Sequence, residues 1–284
     1  EPFSERNSDL YNTTRNLYKN ALGNKIIFEE INHDLGLTFK YQWNSSNEFG
    51  FVRKSQLTNH SDAEINVSVL DGIQNLMPEG VGPDLQNSTS NLVDAYKRNE
   101  LNESSGLGIY ALSAIIVDKA EPSEALKANV AWSLGLPKAT HLVSSMQVGD
   151  FRKGLQVKPE NDVKAEKGAY FINAIYKLAP NAEETWTIVA DVNKSQSAIV
   201  ALIEQIKTNK NLAEEVHQNI QLGSQKLIEL NASADGIQLS ADVFRDSRHF
   251  SNSLFNIMRG GVFDANYQIE KWDFKNYIQN ANTR

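Results

Sequence analysis

The fold turns on one stretch: Tyr170-Phe171-Ile172-Asn173-Ala174-Ile175-Tyr176-Lys177-Leu178, then Ala179-Pro180-Asn181-Ala182, and soon after Trp186-Thr187-Ile188-Val189-Ala190-Asp191-Val192. Tyr170, Ile172, Ala174, Tyr176 and Leu178 recur at every second position, as do Trp186, Ile188, Ala190 and Val192. A period of two puts alternate side chains on opposite faces of a strand. Between the runs, Pro180 presets φ and Asn181 tolerates a positive one, which predicts a tight turn and a hairpin of paired antiparallel strands.

The same period runs through Leu35, Leu37, Phe39, Tyr41 and Trp43, through Ala63, Ile65, Val67 and Val69, and through Leu126, Ala128, Val130, Trp132 and Leu134. Residues 109–117, Ile-Tyr-Ala-Leu-Ser-Ala-Ile-Ile-Val, have few polar breaks. Such a run predicts a strand covered on both faces, hence at least two layers. No segment between the strands is long enough for crossover helices. The expected fold is therefore mainly β, a large antiparallel sandwich followed by a helical C-terminal segment.

After Val192 the period lengthens. Ile199, Leu202, Ile203 and Ile206 follow helical spacing. A second helix is expected from Asn211, with Glu214 completing a capping-box-like pair and Leu212, Val216, Ile220, Leu227 and Leu230 on one stripe. A third opens near Ser240, carries Val243, Phe250, Leu254 and Met258, and stops at Gly260-Gly261. The expected division is a sandwich domain over residues 1–192 and helices over 193–284.

With 284 residues, 40% of them hydrophobic and 22% charged, the chain can build a full core. It has no Cys, which excludes a disulfide framework, a thiolate nucleophile and Cys-ligated zinc. A net charge of −7 argues against binding a phosphate backbone, and no apolar stretch is long enough to cross a bilayer. The expectation is a soluble protein, cytoplasmic or periplasmic, with neither nucleic acid nor membrane as partner. Glu1-Pro2-Phe3 lacks an initiator Met and a leader pattern, so the chain is expected to be a processed product or one piece of a longer polypeptide. Eight Asn-x-Ser/Thr sequons, including those at Asn44, Asn59, Asn66 and Asn231, are read as chance in an Asn- and Ser-rich chain.

Residues 77–103 interrupt the strand rhythm. Pro78, Gly80, Gly82, Pro83 and Asp84 predict a loop, Ser90 to Tyr96 a short helix, and an insertion of this length is usually functional or an interface. Its Glu79, Asp84, Asp94 and Tyr96 are candidates for carbohydrate contact or for an interface, with Tyr110 beside them because it falls out of step in its run. Carboxylates Asp71, Glu79, Asp84 and Asp94 could in principle act as a pair on a glycosidic bond. Surface solvation explains them as well. None of the five His residues forms HExxH or an HxH pair. No catalytic residue, metal ligand or cofactor is assigned. Trp43, Trp132 and Trp186 stay in step with aliphatic neighbours and are expected in the core.

Four stretches carry a resemblance: Asn47-Glu48-Phe49-Gly50-Phe51-Val52-Arg53, Val69-Leu70-Asp71-Gly72-Ile73-Gln74-Asn75-Leu76, Ala120-Glu121-Pro122-Ser123-Glu124-Ala125, and Phe250 to Gly261. Together they resemble the N-terminal region of large carbohydrate-active enzymes related to cellobiose and cyclic β-1,2-glucan phosphorylases. The resemblance implies a β-supersandwich, similar to the galactose-mutarotase-like fold, joined by linker helices to an (α/α)6 barrel that holds the catalytic acid. No position here matches the barrel's catalytic residues. The resemblance further implies a non-catalytic domain that supports homodimer assembly and the active-site mouth, next to a β-glucan-type oligosaccharide. Two other readings stay open, a freestanding carbohydrate-binding module and a mutarotase-like sugar epimerase.

Overall fold

The computed structural model describes residues 1–5, 10–114, 126–136, 138–262 and 268–282. The larger sheet has nine strands in the order β1 (Thr13–Lys19), β2 (Ile26–Asn32), β3 (Leu37–Ser46), β4 (Gly50–Asn59), β12 (Glu183–Ser195), β8 (Lys127–Leu134), β7 (Leu107–Leu112), β6 (Lys97–Asn102) and β10 (Asp162–Lys164). The smaller has three, β5 (Ile65–Leu76), β11 (Gly168–Leu178) and β9 (Thr140–Ser144). Every strand pairing among the described residues is antiparallel. The expected mainly β sandwich is present.

The large sheet is apolar on both faces at its centre. Leu57, Tyr110, Ala131, Trp186 and Ile188 meet Tyr170 and Ile172 of the small sheet. On the opposite face Val52, Leu107, Val130, Trp132 and Val189 meet Ile199 of α4 (Gln196–Thr208) and Leu212, Val216 and Ile220 of α5 (Leu212–Ala232). Trp132 and Trp186, each 1% exposed, fill the two opposite faces of one sheet. An indole buried to this degree is worth about 5 kcal/mol of gross transfer free energy. The third tryptophan expected in the core, Trp43, is only half-buried. The continuous apolar run behaves as expected as far as Leu112, where β7 ends; residues 115–117 lie outside the described residues.

The hairpin expected at residues 179–182 is not one. The turn forms, with the Ala182 N–H donating to the Ala179 carbonyl at 3.2 Å and Asn181 at φ 55. It passes the chain from β11 in the small sheet to β12 in the large one. Both strands already use both edges, β11 on β5 and β9, β12 on β4 and β8. Turn residues specify a reversal of direction, and a sandwich corner needs the same reversal as a hairpin. Asn59, fully buried, locks this corner by donating to the carbonyls of Ala63, Leu178 and Ala179 at 2.9, 3.3 and 3.1 Å. Of the sequon asparagines, Asn44, Asn59 and Asn231 are buried, whereas Asn66 is exposed on β5.

The chain divides into two compact units, Glu1–Lys19 with Asn24–Gln221, and Asn20–Gly23 with Leu222–Arg284. In the second, Asn231 donates to the Phe250 carbonyl at 3.0 Å, and Asp242 accepts from the Phe244 and Arg245 N–H groups to cap α6 (Val243–Gly260). That helix stops at Gly261, whose φ of 75 suits glycine. A further helix, α7 (Lys271–Ala281), had no sequence signal strong enough to predict it.

Candidate functional site

The insertion is shorter than its sequence suggested. Two helices, α1 (Pro83–Ser88) and α2 (Ser90–Tyr96), follow the loop, and at Lys97 the chain re-enters the large sheet as β6. Helices this short do not hold themselves together in water. Val81, Val93 and Leu112 form a small separate core here, with Met77, Leu85 and Tyr96 packed against it.

A buried cation braces this lobe. The Lys97 side chain is wholly buried, and its ammonium donates to Gln86 Oε1 at 2.6 Å and Asp94 Oδ1 at 2.7 Å, with Met77 Sδ at 3.8 Å. One ammonium thus ties together the loop, α1 and α2. An ammonium taken out of water costs several kcal/mol unless its three N–H bonds find acceptors, which is what these residues supply. The Lys97 bond holds the Asp94 carboxyl below the usual carboxylate range.

Asn129 of β8 makes the second attachment. Its Nδ2 donates to the Met77 carbonyl at 2.8 Å, and its Oδ1 accepts from the Asn193 N–H at 2.9 Å. Asn193 has φ 60, and the register of β12 against β8 slips between Asp191 and Lys194. That bulge turns Val192 and Asn193 toward the loop. Between them lies an open depression of about 440 Å³ lined by Met77 to Gly82, Asn129, Val192 and Asn193.

Of the predicted site residues, Glu79 lines this depression and is half-buried. Asp94 and Tyr96 belong to the brace beneath it. Asp84 is exposed in the first turn of α1, where a negative charge suits the helix start. Tyr110 is a correction. It is 0% exposed in the core between the sheets, its hydroxyl donates to the Ala169 carbonyl at 2.8 Å, and burial pushes its phenol well up. It has no surface to offer a ligand. Lys97 and Asn129 were missed, since a lone Lys before Arg98 and an Asn inside a strand read as solvated positions.

Two of the resembling stretches meet inside the sandwich. Asp71 of β5 accepts from Ser55 Oγ at 2.9 Å, from Trp186 Nε1 at 2.7 Å and from the Arg53 guanidinium, which in turn lies 4.4 Å over the Tyr41 ring. Asp71 is therefore an inter-sheet tie. The imidazoles take neutral hydrogen-bond partners: His33 and His60 bond Thr14 and Thr38 at 2.8 Å, and His141 lies 3.5 Å from Ser133. His217 bonds Gln221 at 2.8 Å, and His249 bonds the Asp235 carbonyl at 2.9 Å. A mutarotase-like epimerase needs an imidazole opposed to a carboxylate, and here His249 has the Asp246 carboxylate near it on the same helix. Burial also lowers the His141 pKa.

These features define an antiparallel two-sheet sandwich, backed by helices and carrying a braced loop lobe beside a shallow depression. Residues 263–284 match the family model described as Glycoside hydrolase family 149 insertion domain 1, which relates that stretch to the glycoside hydrolases. No curated protein matches the chain. Among solved structures it is similar to a bacterial glucoamylase complexed with acarbose, at 8% identity and a TM-score of 0.46, covering 85% of this chain and 32% of that one. A kojibiose phosphorylase from human microbiome is similar at 7% identity and a TM-score of 0.32, over 85% of this chain and 25% of that one. A galactose mutarotase-like protein from Clostridium acetobutylicum is similar at 8% identity and a TM-score of 0.25, over 65% of this chain and 67% of that one. The chain spans about a third of the glucoamylase's length and a quarter of the phosphorylase's.

Proposed function

We propose that this chain is a non-catalytic accessory region of a glycoside phosphorylase or hydrolase. Residues 1–192 form its β-supersandwich domain, and residues 193–284 a helical linker toward an (α/α)6 catalytic domain of the same polypeptide. The lobe at 77–96 shapes the active-site mouth, where Glu79 contacts a β-glucan-type oligosaccharide. Homodimer assembly belongs to the same reading.

The observation that carries it is the bracing of the lobe. A fully buried ammonium and the two bonds of Asn129 fix a loop that its own short helices could not fix. Such preorganisation is what a substrate-positioning loop requires. The match of residues 263–284 to a glycoside hydrolase insertion domain supports the same assignment.

Two measurements test it. The 284-residue chain alone is expected neither to hydrolyse nor to phosphorolyse gluco-oligosaccharides, and turnover by it would sink the proposal. In the full polypeptide, Glu79→Gln is expected to raise KM for oligosaccharide about tenfold with little change in kcat, the loss of one charge-assisted hydrogen bond. An unchanged KM removes Glu79 from the mouth.

A further inference from the structure

Residues 1–4 lie against the aromatic part of the large sheet. Pairing puts Arg15 opposite Glu30, Glu30 opposite Phe39 and Phe28 opposite Tyr41, so these five side chains share one face. Phe39 packs against the core between the sheets, so that face is the one turned toward the small sheet. Three strands spaced about 4.8 Å apart cover only roughly a third of a nine-stranded face, and β1 to β3 lie at its far end.

Phe3 fills the slot there. Its ring centroid lies 5.4 Å from Tyr41 and 6.2 Å from Phe28, at 87° and 82°, and 6.3 Å from Phe39. Phe28 and Tyr41 stack at 4.8 Å, and Phe3 stands nearly perpendicular to both. Perpendicular ring pairs at these separations set the positive edge of one ring against the π face of the other. The slot is therefore shaped to take an aromatic ring.

The backbone around that ring is read as well. The Phe3 N–H donates to Glu30 Oε2 at 2.6 Å, and the Ser4 carbonyl accepts from Arg15 Nη2 at 2.8 Å. Glu30 is 8% exposed and is held in place by Arg15 Nε at 2.8 Å. Two residues before the ring, the Glu1 carboxylate takes both Nε and Nη2 of Arg152, the last residue of α3 (Val148–Arg152), at 2.8 Å. Phe3 sits at φ 59, a left-handed conformation that a bulky residue adopts only when its surroundings impose it.

We propose that this slot is a peptide-docking site for a partner protein that presents a carboxylate two residues before an aromatic side chain, and that residues 1–4 occupy it in cis. Charge complementarity fixes the partner's chemistry. Arg152 takes the carboxylate, Glu30 the N–H of the aromatic residue and Arg15 the carbonyl that follows. The in-cis occupant competes at the effective concentration of a short tether, in the millimolar range, so a partner peptide must displace it. This inference does not depend on the carbohydrate reading.

The probe is the peptide acetyl-Glu-Pro-Phe-Ser-Glu-amide, titrated by calorimetry into the full 284-residue chain. The Phe3→Ala chain, its slot vacated, is expected to bind it about tenfold or more tightly than the unmodified chain. Replacing Phe by Ala in the peptide, or adding Arg152→Ala or Glu30→Gln to the chain, should lower that affinity at least severalfold. Absence of binding to the Phe3→Ala chain overturns the proposal, as does binding indifferent to Arg152 and Glu30. Should Phe3→Ala unfold the chain, Glu1→Gln weakens the hold of the in-cis segment on Arg152 and leaves Arg15, Glu30 and Arg152 in place. The Phe-centred peptide must then bind more tightly than to the unmodified chain, and equal binding overturns the proposal. A dimer that the peptide dissociates into monomers overturns it in favour of exchange between two copies.

Discussion

Lys97 shows what a single buried charge specifies. Its ammonium is kept by Asp94 and Gln86 and touches nothing that reacts, so its effect is to fix where the lobe sits. Removing one partner of a buried pair costs more than removing the charge itself. Asp94→Asn is expected to destabilise the first unit by about 2–4 kcal/mol, and Lys97→Met by about 1 kcal/mol or less, read from urea midpoints at pH 7. The Asp94 carboxyl titrates lower in the fold than in the unfolded chain. Its contribution is therefore complete above the unfolded pKa of about 4 and fades as the pH drops through the folded value. Between pH 5 and pH 2, Lys97→Met should lose less stability than the unmodified chain. The remaining loss persists, because Lys40 holds down Glu29 and Arg98 holds down Asp162 in the same way. Identical acid profiles for the two chains would show that the pair does not work in this sense.

At the scale of the element, strands with a clean two-residue period were legible, as was the unbroken apolar run of β7, whereas β2 and β6 were not. β11 and β12 announce themselves because Tyr170, Ile172, Ala174, Tyr176 and Leu178, and then Trp186, Ile188, Ala190 and Val192, recur at every second position. β2 reads Ile-Ile-Phe-Glu-Glu-Ile-Asn, with no alternation, since Glu29 and Glu30 are both buried and satisfied by charges on neighbouring strands. β6, Lys-Arg-Asn-Glu-Leu-Asn, looks like loop although Lys97 and Asn99 are buried. Pairing partners were out of reach for the same reason as the hairpin at 179–182, because a local turn does not encode which sheet receives the chain. The candidate site was legible only as an insertion with acidic residues; its brace depends on Asn129, over thirty residues further on. Gly50 shows how tightly one element end is fitted. It has φ 76, and a Cβ there would lie 2.6 Å from the Ala190 carbonyl oxygen and 2.9 Å from Asp191 Oδ1. Gly50→Ala is expected to cost roughly 2 kcal/mol or more, through positive φ and a clash with backbone of β12. A thermal midpoint within a degree of the parent's would contradict that.

Across the whole molecule, apolar burial is unevenly distributed. The first unit holds the two-faced core around Trp132 and Trp186. In the second, α6 buries Phe250 while Val243, Phe244 and Met258 are 64%, 77% and 71% exposed, and α7 buries no residue although it carries Trp272, Phe274 and Tyr277. An eleven-residue helix with no buried face has little beyond its own hydrogen bonds to hold it, and isolated helices of that length are marginal in water. Local opening free energies follow such differences in burial. Amide hydrogen exchange on the 284-residue chain is therefore expected to be slowest in β8 and β12, intermediate in α6 near the Asn231 and Asp242 contacts, and faster by several orders of magnitude in α7. Under the proposed linker role, α7 gains its protection only when the apolar side chains it exposes are covered by the rest of the polypeptide. The same amides in the full-length protein should then slow markedly while those of β8 and β12 stay as they were. If α7 exchanges as slowly as β12 in the chain alone, its stability has another source and the linker assignment for residues 193–284 fails.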